Sequence, residues 1–146
     1  MNPGMGAVAG LWGALGMLGL LRILEPVSAL QPFVALSQVG LGGDRLQFLT
    51  GLGVHAFLGV LFGLLYAVSQ QRIPNRGLIG VGIFYGLALW AAGGLVSPVF
   101  GEPMKRVIRS WPWLLASLFY GLCLAVTAVW VQIRHPQVAA VAVQPD

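Results

Sequence analysis

Charged side chains are scarce in this sequence. Only 8% of the 146 residues are charged, whereas 58% are hydrophobic, and a soluble domain usually carries about 25% charged residues. A protein dissolved in lipid needs few charges, because most of its surface meets hydrocarbon rather than water. The composition therefore predicts a single domain that is embedded in a membrane.

Groups that perform catalysis or bind metals are also few. The single cysteine, Cys123, excludes a disulfide within this sequence and a cysteine zinc site. The apolar runs contain no Asp, Glu or Lys away from their ends, although acid–base and nucleophilic catalysis need polar groups that converge. The two histidines do not have metal-ligand spacing. The sequence therefore predicts a protein that is not an enzyme, with no catalytic residue and no metal site.

The positive charge does not indicate nucleic-acid binding. The net charge is +4, but the cations lie between apolar runs, where they meet lipid headgroups. Alternating spans place five cations on one side and three on the other, and the positive-inside tendency then predicts that both termini are non-cytoplasmic. The two groups are Arg22, Arg45, Lys105, Arg106 and Arg109, and Arg72, Arg76 and Arg134.

Four apolar runs are long enough to cross a bilayer. A hydrocarbon core of about 30 Å needs roughly 20 helical residues. The sequence therefore predicts an all-α fold, a four-transmembrane-helix bundle in one membrane domain, residues 1–146. The predicted helices cover residues 5–24, 50–70, 77–100 and 111–133.

The segment between the first two runs, residues 27–48, is too polar to span and too apolar for an ordinary loop. Pro26 is expected to end the first helix, because proline cannot continue the hydrogen-bond ladder. We expect the segment to form a short interfacial helix or a re-entrant piece packed on the bundle.

Glycine is abundant, with 21 residues. Small residues let membrane helices approach closely, so glycines at helical spacing predict packing faces. The first run has more glycine than one face uses, which indicates either internal packing alone or a second face for another subunit. The predicted helix-packing residues are Gly6, Gly10, Gly13, Gly63, Gly82, Gly86, Ser117 and Gly121.

One histidine lies inside an apolar run. His55 has Gly51 four residues before it and Gly59 four residues after it, which leaves flat space on one helix face. A tetrapyrrole, either a chlorophyll-type pigment or haem, would fit such a notch with His55 as its ligand. The alternative is a structural histidine that hydrogen-bonds to a neighbouring helix, with Ser117, Tyr85 and Tyr120 as candidate partners. A role in binding a proton or substrate is a third hypothesis.

The chain resembles a bacterial family of small four-helix membrane proteins of unknown function. The resemblance runs from about Gly51 to Val131 and rests on Gly51-x-x-x-His55-x-x-x-Gly59-x-x-x-Gly63-x-x-Tyr66, the Trp90 helix ending in Ser97-Pro98-Val99-Phe100-Gly101, and Tyr120-Gly121. It implies the four-helix fold and a bacterial inner membrane. Members of this family often have a second histidine shortly before the last aromatic-Gly pair, and this chain has Ser117 in that neighbourhood. A metal or haem site built on paired histidines would therefore lack one ligand in this chain.

Three functions fit these observations. The first is a non-enzymatic accessory subunit packed against a larger membrane complex, respiratory or photosynthetic, in contact with lipid and other subunits. The second is a tetrapyrrole-binding protein through His55, Gly51 and Gly59. The third is a small transporter or channel, which would need a water-lined path between the helices.

Overall fold

A computed structural model describes residues 1–28, 44–70, 77–99 and 102–134, and this part of the chain is helical. Four of its helices are long and apolar enough to cross a membrane, which agrees with the predicted all-α class and number of spans. The 3₁₀ turn Ser97–Val99 directly follows the third long helix. The helices are α1 Pro3–Ser28, α2 Asp44–Ser69, α3 Leu78–Val96, the short α4 Glu102–Ile108, and α5 Trp111–Arg134.

The first helix is longer than predicted. It passes through Pro26 and ends at Ser28, so the expectation that Pro26 ends it was wrong. Proline at position 26 removes the backbone hydrogen bond to the carbonyl oxygen of Arg22, but the helix continues for only two residues beyond it. The hydroxyl of Ser28 also donates to the carbonyl oxygen of Leu24 at 2.8 Å, which gives that carbonyl a partner.

The second helix begins earlier than predicted. It starts at Asp44, so residues 44–48 of the predicted interfacial segment belong to α2, while residues 29–43 lie outside the described residues. Leu46 and Leu49 extend the apolar run, and the Thr50 hydroxyl donates back to the Leu46 carbonyl oxygen at 2.8 Å. His55 therefore lies eleven residues into α2, about 16 Å along the helix axis, and not near its end.

The four long helices form two closely packed pairs. Helix α1 packs along α2, helix α3 packs along α5, and α1 also packs on α5 to join the pairs. Helices α2 and α3 make few close backbone contacts with each other, although they follow one another in the sequence. Helices α2 and α3 thus touch through side chains rather than along their backbones.

Glycines bring α1 and α2 together. A methyl group at Gly10 would overlap the carbonyl oxygen of Gly59, and one at Gly63 would overlap that of Gly6 and lie 2.7 Å from the Cα atom of Gly10. A methyl group at Gly6 would lie 2.5 Å from the Cβ atom of Ala67. Each glycine therefore receives backbone or a methyl group of the other helix, as close membrane-helix packing requires.

The α3–α5 pair is built in the same way. A methyl group at Gly82 would lie 2.5 Å from the Cβ atom of Ala125, and one at Gly86 would lie 2.5 Å from the carbonyl oxygen of Ser117. A methyl group at Gly121 would overlap the carbonyl oxygen of Gly82. The glycines predicted to pack α3 and α5 therefore lie at one shared interface.

The surplus glycine of α1 is used inside the bundle. A methyl group at Gly13 would lie 2.9 Å from the Tyr120 ring, and one at Gly16 would lie 2.8 Å from the Phe119 ring, both on α5. Helix α1 thus uses one glycine face for α2 and another for α5, and within α1 only Gly19 has open space in front of it. The glycine content of α1 is explained without an outside partner.

Tyrosines fill half of the gap between α2 and α3. The rings of Tyr66 and Tyr85 meet edge to face with centroids 5.3 Å apart. The Tyr85 hydroxyl donates to the carbonyl oxygen of Phe62 at 2.7 Å, and the Tyr66 hydroxyl lies 3.4 Å from that of Leu78. This half of the gap is the one next to the connection between α2 and α3.

A short helix stands where the sequence predicts a basic loop. Helix α4 buries Val107 and Ile108, and the guanidinium Nε of Arg109 donates to the Ser97 hydroxyl at 3.0 Å, which ties its end to the end of α3. Lys105 donates to Glu102 at 3.0 Å and holds the pKa of that exposed carboxyl below its usual value. Helix α4 therefore closes one end of the bundle.

Candidate functional site

A cavity of about 400 Å³ lies between the two helix pairs. It lies on the side of the bundle near α4, opposite the tyrosine-filled half of the α2–α3 gap. Five helices contribute to its wall, which is almost entirely apolar. The wall includes Ala14, Val54, His55, Leu58, Gly59, Ala92, Gly93, Val96, Met104, Ile108, Trp113, Ser117 and Tyr120.

The cavity opens between α2 and α3. Val54 and Leu58 of α2 line it and are 42% and 40% exposed, and Val96 of α3 lines it and is 51% exposed. These apolar side chains lie on helices that are long and apolar enough to cross a membrane. A molecule that reaches the cavity through this opening passes only apolar side chains.

His55 lies in the wall of this cavity and also contacts α1. Its Nε2 is 3.1 Å from the backbone carbonyl oxygen of Ala14. A carbonyl oxygen only accepts, so this contact fixes Nε2 as the protonated nitrogen and leaves Nδ1 as an acceptor in the neutral ring. Of the partners expected from the sequence, neither Ser117 nor either tyrosine receives this hydrogen bond. The donor atom reaches a backbone carbonyl, which no side-chain pattern could identify.

The glycine notch around His55 is not a flat open space. A methyl group at Gly59 would overlap the Cβ atom of Ala14 and lie 2.9 Å from the carbonyl oxygen of Gly10, so α1 fills the space in front of Gly59. Gly51 is buried and lines the cavity together with His55 and Gly59. The three predicted residues are thus brought together, but helix α1 occupies the space in front of Gly59.

A tetrapyrrole on His55 would need Nδ1 as its axial ligand, because Nε2 donates to Ala14 and a ligand must present a nitrogen lone pair to the metal. The macrocycle would also need the space at Gly59 that α1 fills. Among the described residues there is no group of three or more His, Cys, Asp or Glu side chains that could hold a metal ion.

Tyr120 connects three helices beside the cavity. Its hydroxyl donates to the backbone carbonyl oxygen of Gly59 on α2 at 2.6 Å, its ring packs on Gly13 of α1, and it belongs to α5. Only 3% of Tyr120 is exposed. It therefore sets the spacing between the two helix pairs and so the width of the cavity.

Trp113 lines the cavity but was not among the candidate site residues predicted from the sequence. Tryptophan near a helix end commonly lies at the membrane interface, and Trp111 is indeed half exposed. Trp113 instead packs against the core, and its Nε1 is buried with no hydrogen-bond partner among the described residues. The spacing of the two tryptophans could have shown that they face different surroundings, because residues two positions apart lie on different faces of a helix.

Comparison with known proteins identifies a family. A model of a family described as a family of unknown function, DUF6789, matches residues 1–138. The chain belongs to the DUF6789 family. This agrees with the prediction of an uncharacterised family, and the match covers almost the whole chain. No curated protein and no solved structure matches this DUF6789 chain.

Replacing His55 by Phe is expected to cost about 1 kcal/mol or less of stability in this DUF6789 protein. The hydrogen bond to Ala14 is lost while the ring remains, and hydrogen bonds between membrane helices average about 0.6 kcal/mol. Reversible unfolding in mixed micelles measures this cost. Absorption spectra of the two purified proteins are expected to match, without a visible band; a visible band in the wild type that the variant lacks would restore His55 as a pigment or haem ligand.

Proposed function

We propose that this DUF6789 protein is a four-span integral membrane protein that binds a lipid-like molecule in the cavity between α2 and α3. The cavity of about 400 Å³ is the observation that carries this proposal. Small-molecule sites are concave and mostly apolar, with a few polar groups that orient the ligand. In this cavity the apolar wall contains His55, Ser117, Tyr120 and Trp113 as such groups.

The position of the opening supports a ligand that comes from the bilayer. Val54, Leu58 and Val96 line the cavity and are exposed, so with α2 and α3 in a membrane they face hydrocarbon. An apolar chain can then enter sideways without crossing water. A water-soluble ligand would lose its hydration in this wall without enough hydrogen bonds in return.

The other half of the bundle favours binding over passage. Tyr66 and Tyr85 pack against each other in the gap between α2 and α3, and Tyr120 crosses from α5 to α2 through its bond to Gly59. Beyond these rings Leu124, Ala125 and Ala128 are buried core. A transporter or channel would need a path where these side chains pack, so the described helices support a pocket that ends at these rings.

A photolabelling experiment tests the proposal. The protein in liposomes is irradiated with a long-chain alkane that carries a diazirine, and the labelled peptides are mapped by mass spectrometry. We expect the wild type to be labelled at cavity residues of α4 and α5. Ala92→Phe places a ring at the wall of the cavity and is expected to lower this labelling roughly tenfold, which corresponds to about 1.4 kcal/mol of lost binding free energy.

Ala91→Phe is the matched control for this experiment. Ala91 is the neighbouring residue on α3 and, like Ala92, is exposed, but it does not line the cavity. Its labelling is expected to equal that of the wild type. Equal labelling of the cavity peptides in both variants would refute ligand binding in this cavity.

A second candidate function is the accessory subunit. The observation in its favour is the exposure of α3. Only 11% of the most apolar 18-residue stretch of α3 is buried, against 39% of the corresponding stretches of α1 and α5. Gly80 and Gly94 of α3 have no atom within 4 Å of an added methyl group. Native mass spectrometry in mild detergent tests this function, and a stable lone monomer would count against it.

A further inference from the structure

Ser117 brings a hydroxyl group without a partner into the wall of the cavity. The residue is only 2% exposed and lines the cavity. Its hydroxyl forms no hydrogen bond with another described residue, although buried polar groups are almost always paired. The hydroxyl oxygen stays accessible, whereas the unpaired Trp113 Nε1 is sealed among its neighbours. A bound molecule can therefore reach Ser117.

His55 offers a second open position in the same wall. Its Nε2 donates to the carbonyl oxygen of Ala14 at 3.1 Å, so Nδ1 of the neutral ring can only accept. No residue in the described part of the chain donates to Nδ1, and this nitrogen is likewise not sealed among its neighbours. A group that binds at Nδ1 has to donate a hydrogen.

His55 and Ser117 lie at a similar depth in the bundle. Helices α2 and α5 each run antiparallel to α1 and are therefore parallel to each other. They meet where the Tyr120 hydroxyl donates to the carbonyl oxygen of Gly59. Ser117 precedes Tyr120 by three residues, and His55 precedes Gly59 by four. Both groups thus lie about one helical turn from this contact, on the side of α4.

A hydroxyl group satisfies both positions through a single oxygen atom. Its hydrogen can be donated to Nδ1 of His55, while its oxygen accepts from the hydroxyl of Ser117. A carbonyl, ether or carboxylate oxygen only accepts and leaves Nδ1 unpaired. An ammonium group donates, but it carries a charge that this apolar wall cannot solvate.

We propose that His55 and Ser117 together bind the hydroxyl group of a single-chain lipid alcohol. This inference rests on the proposed function and names the ligand class of the same cavity. The cavity volume of about 400 Å³ lies near the lower end of the range for small-molecule sites, which suits one hydrocarbon chain. Val54 and Leu58 of α2 line the opening beside His55, so the chain extends from the hydroxyl group towards the bilayer.

The test compares three diazirine probes of equal chain length: a primary alcohol, its methyl ether and an alkane. The ether keeps an acceptor oxygen but has no hydrogen to donate to Nδ1. In wild-type protein in liposomes we expect the alcohol to label the cavity peptides more strongly than the ether. Ser117→Ala and His55→Phe are each expected to lower alcohol labelling roughly two- to tenfold, as the loss of one hydrogen bond predicts, and to leave alkane labelling unchanged.

Ser69→Ala is the matched control for the loss of a hydroxyl. The Ser69 hydroxyl donates to the carbonyl oxygen of Leu65 within α2, and Ser69 does not line the cavity, so labelling by all three probes should stay unchanged. Equal labelling of the wild type by the alcohol and the ether, as expected if water occupies the pair, would overturn this inference. An equal loss of all three probes in Ser117→Ala would also overturn it. If Ala92→Phe leaves alkane labelling unchanged, the proposed cavity function itself fails.

Discussion

Gly63→Ala is expected to destabilise the protein by about 1–3 kcal/mol. The added methyl group would overlap the carbonyl oxygen of Gly6 and lie 2.7 Å from the Cα atom of Gly10. Neither is the end of a flexible side chain, so the backbones of α1 and α2 must separate. Since van der Waals contact holds membrane helices together, this separation weakens the whole interface. Reversible unfolding in mixed micelles, followed by circular dichroism, measures the cost.

Gly80→Ala is the matched control. Gly80 is also inside a long helix, but no atom lies within 4 Å of an added methyl group. Alanine is favoured over glycine in a helix by about 0.5–1 kcal/mol, so this variant is expected to be neutral or slightly more stable. Gly121→Ala, at the α3–α5 interface, should behave like Gly63→Ala. If Gly63→Ala were as stable as Gly80→Ala, α1 and α2 would not be packed as described.

Tyr120→Ala is expected to cost about 3–5 kcal/mol, in the range for removing a large buried aromatic side chain. Tyr120 joins α5 to α1 through Gly13 and to α2 through Gly59, and no other ring makes both contacts among the described residues. Its loss leaves a void beside the existing cavity. The same unfolding assay measures this cost.

Tyr120→Phe removes the hydroxyl and keeps the ring, so it measures the two contributions separately. The phenylalanine ring still packs on Gly13, while the 2.6 Å hydrogen bond to the carbonyl oxygen of Gly59 is lost. We expect a cost of about 1 kcal/mol, well below that of Tyr120→Ala. Equal costs for the two variants would assign the stabilising role of Tyr120 to its hydroxyl and contradict a role for its ring in packing α5 on α1.

The class of fold could be predicted from composition and run length. Four apolar runs without internal charge give four helices long and apolar enough to span a membrane, and the helices have the expected order. Helix ends were less predictable. Pro26 breaks a helix in general, but here it costs one backbone hydrogen bond two residues before the helix ends. The start of α2 at Asp44 was missed because the polar residues between residue 44 and residue 50 interrupt the apolar pattern without interrupting the helix.

The residues of the packing faces could be predicted, but their partners could not. Spacing identifies Gly10 and Gly63 as small residues on helix faces, but it does not show that these two face each other. It also does not show that α1 lies between α2 and α5, because loop length alone favours neighbours in sequence. The surplus glycine of α1 was therefore open to an outside partner until the structure placed Gly13 and Gly16 against α5.

The cavity could not be predicted from sequence at all. It arises because α2 and α3 pack on different helices and leave a gap that Tyr66 and Tyr85 fill only at one end. His55 was identified as unusual for a membrane helix, and it does lie in the cavity wall. Tryptophan near a helix end commonly lies at the membrane interface, and only the three-dimensional arrangement shows that the N–H group of Trp113 is buried inside the protein.

The central claim is that the cavity between α2 and α3 holds a lipid-like molecule. Native mass spectrometry of the protein, purified in mild detergent and exchanged into a second detergent, tests it most directly. We predict one retained adduct of lipid mass on the wild type and on Ala91→Phe, and its loss from Ala92→Phe. A wild-type spectrum without a retained adduct, or the same adduct on both variants, would contradict this claim.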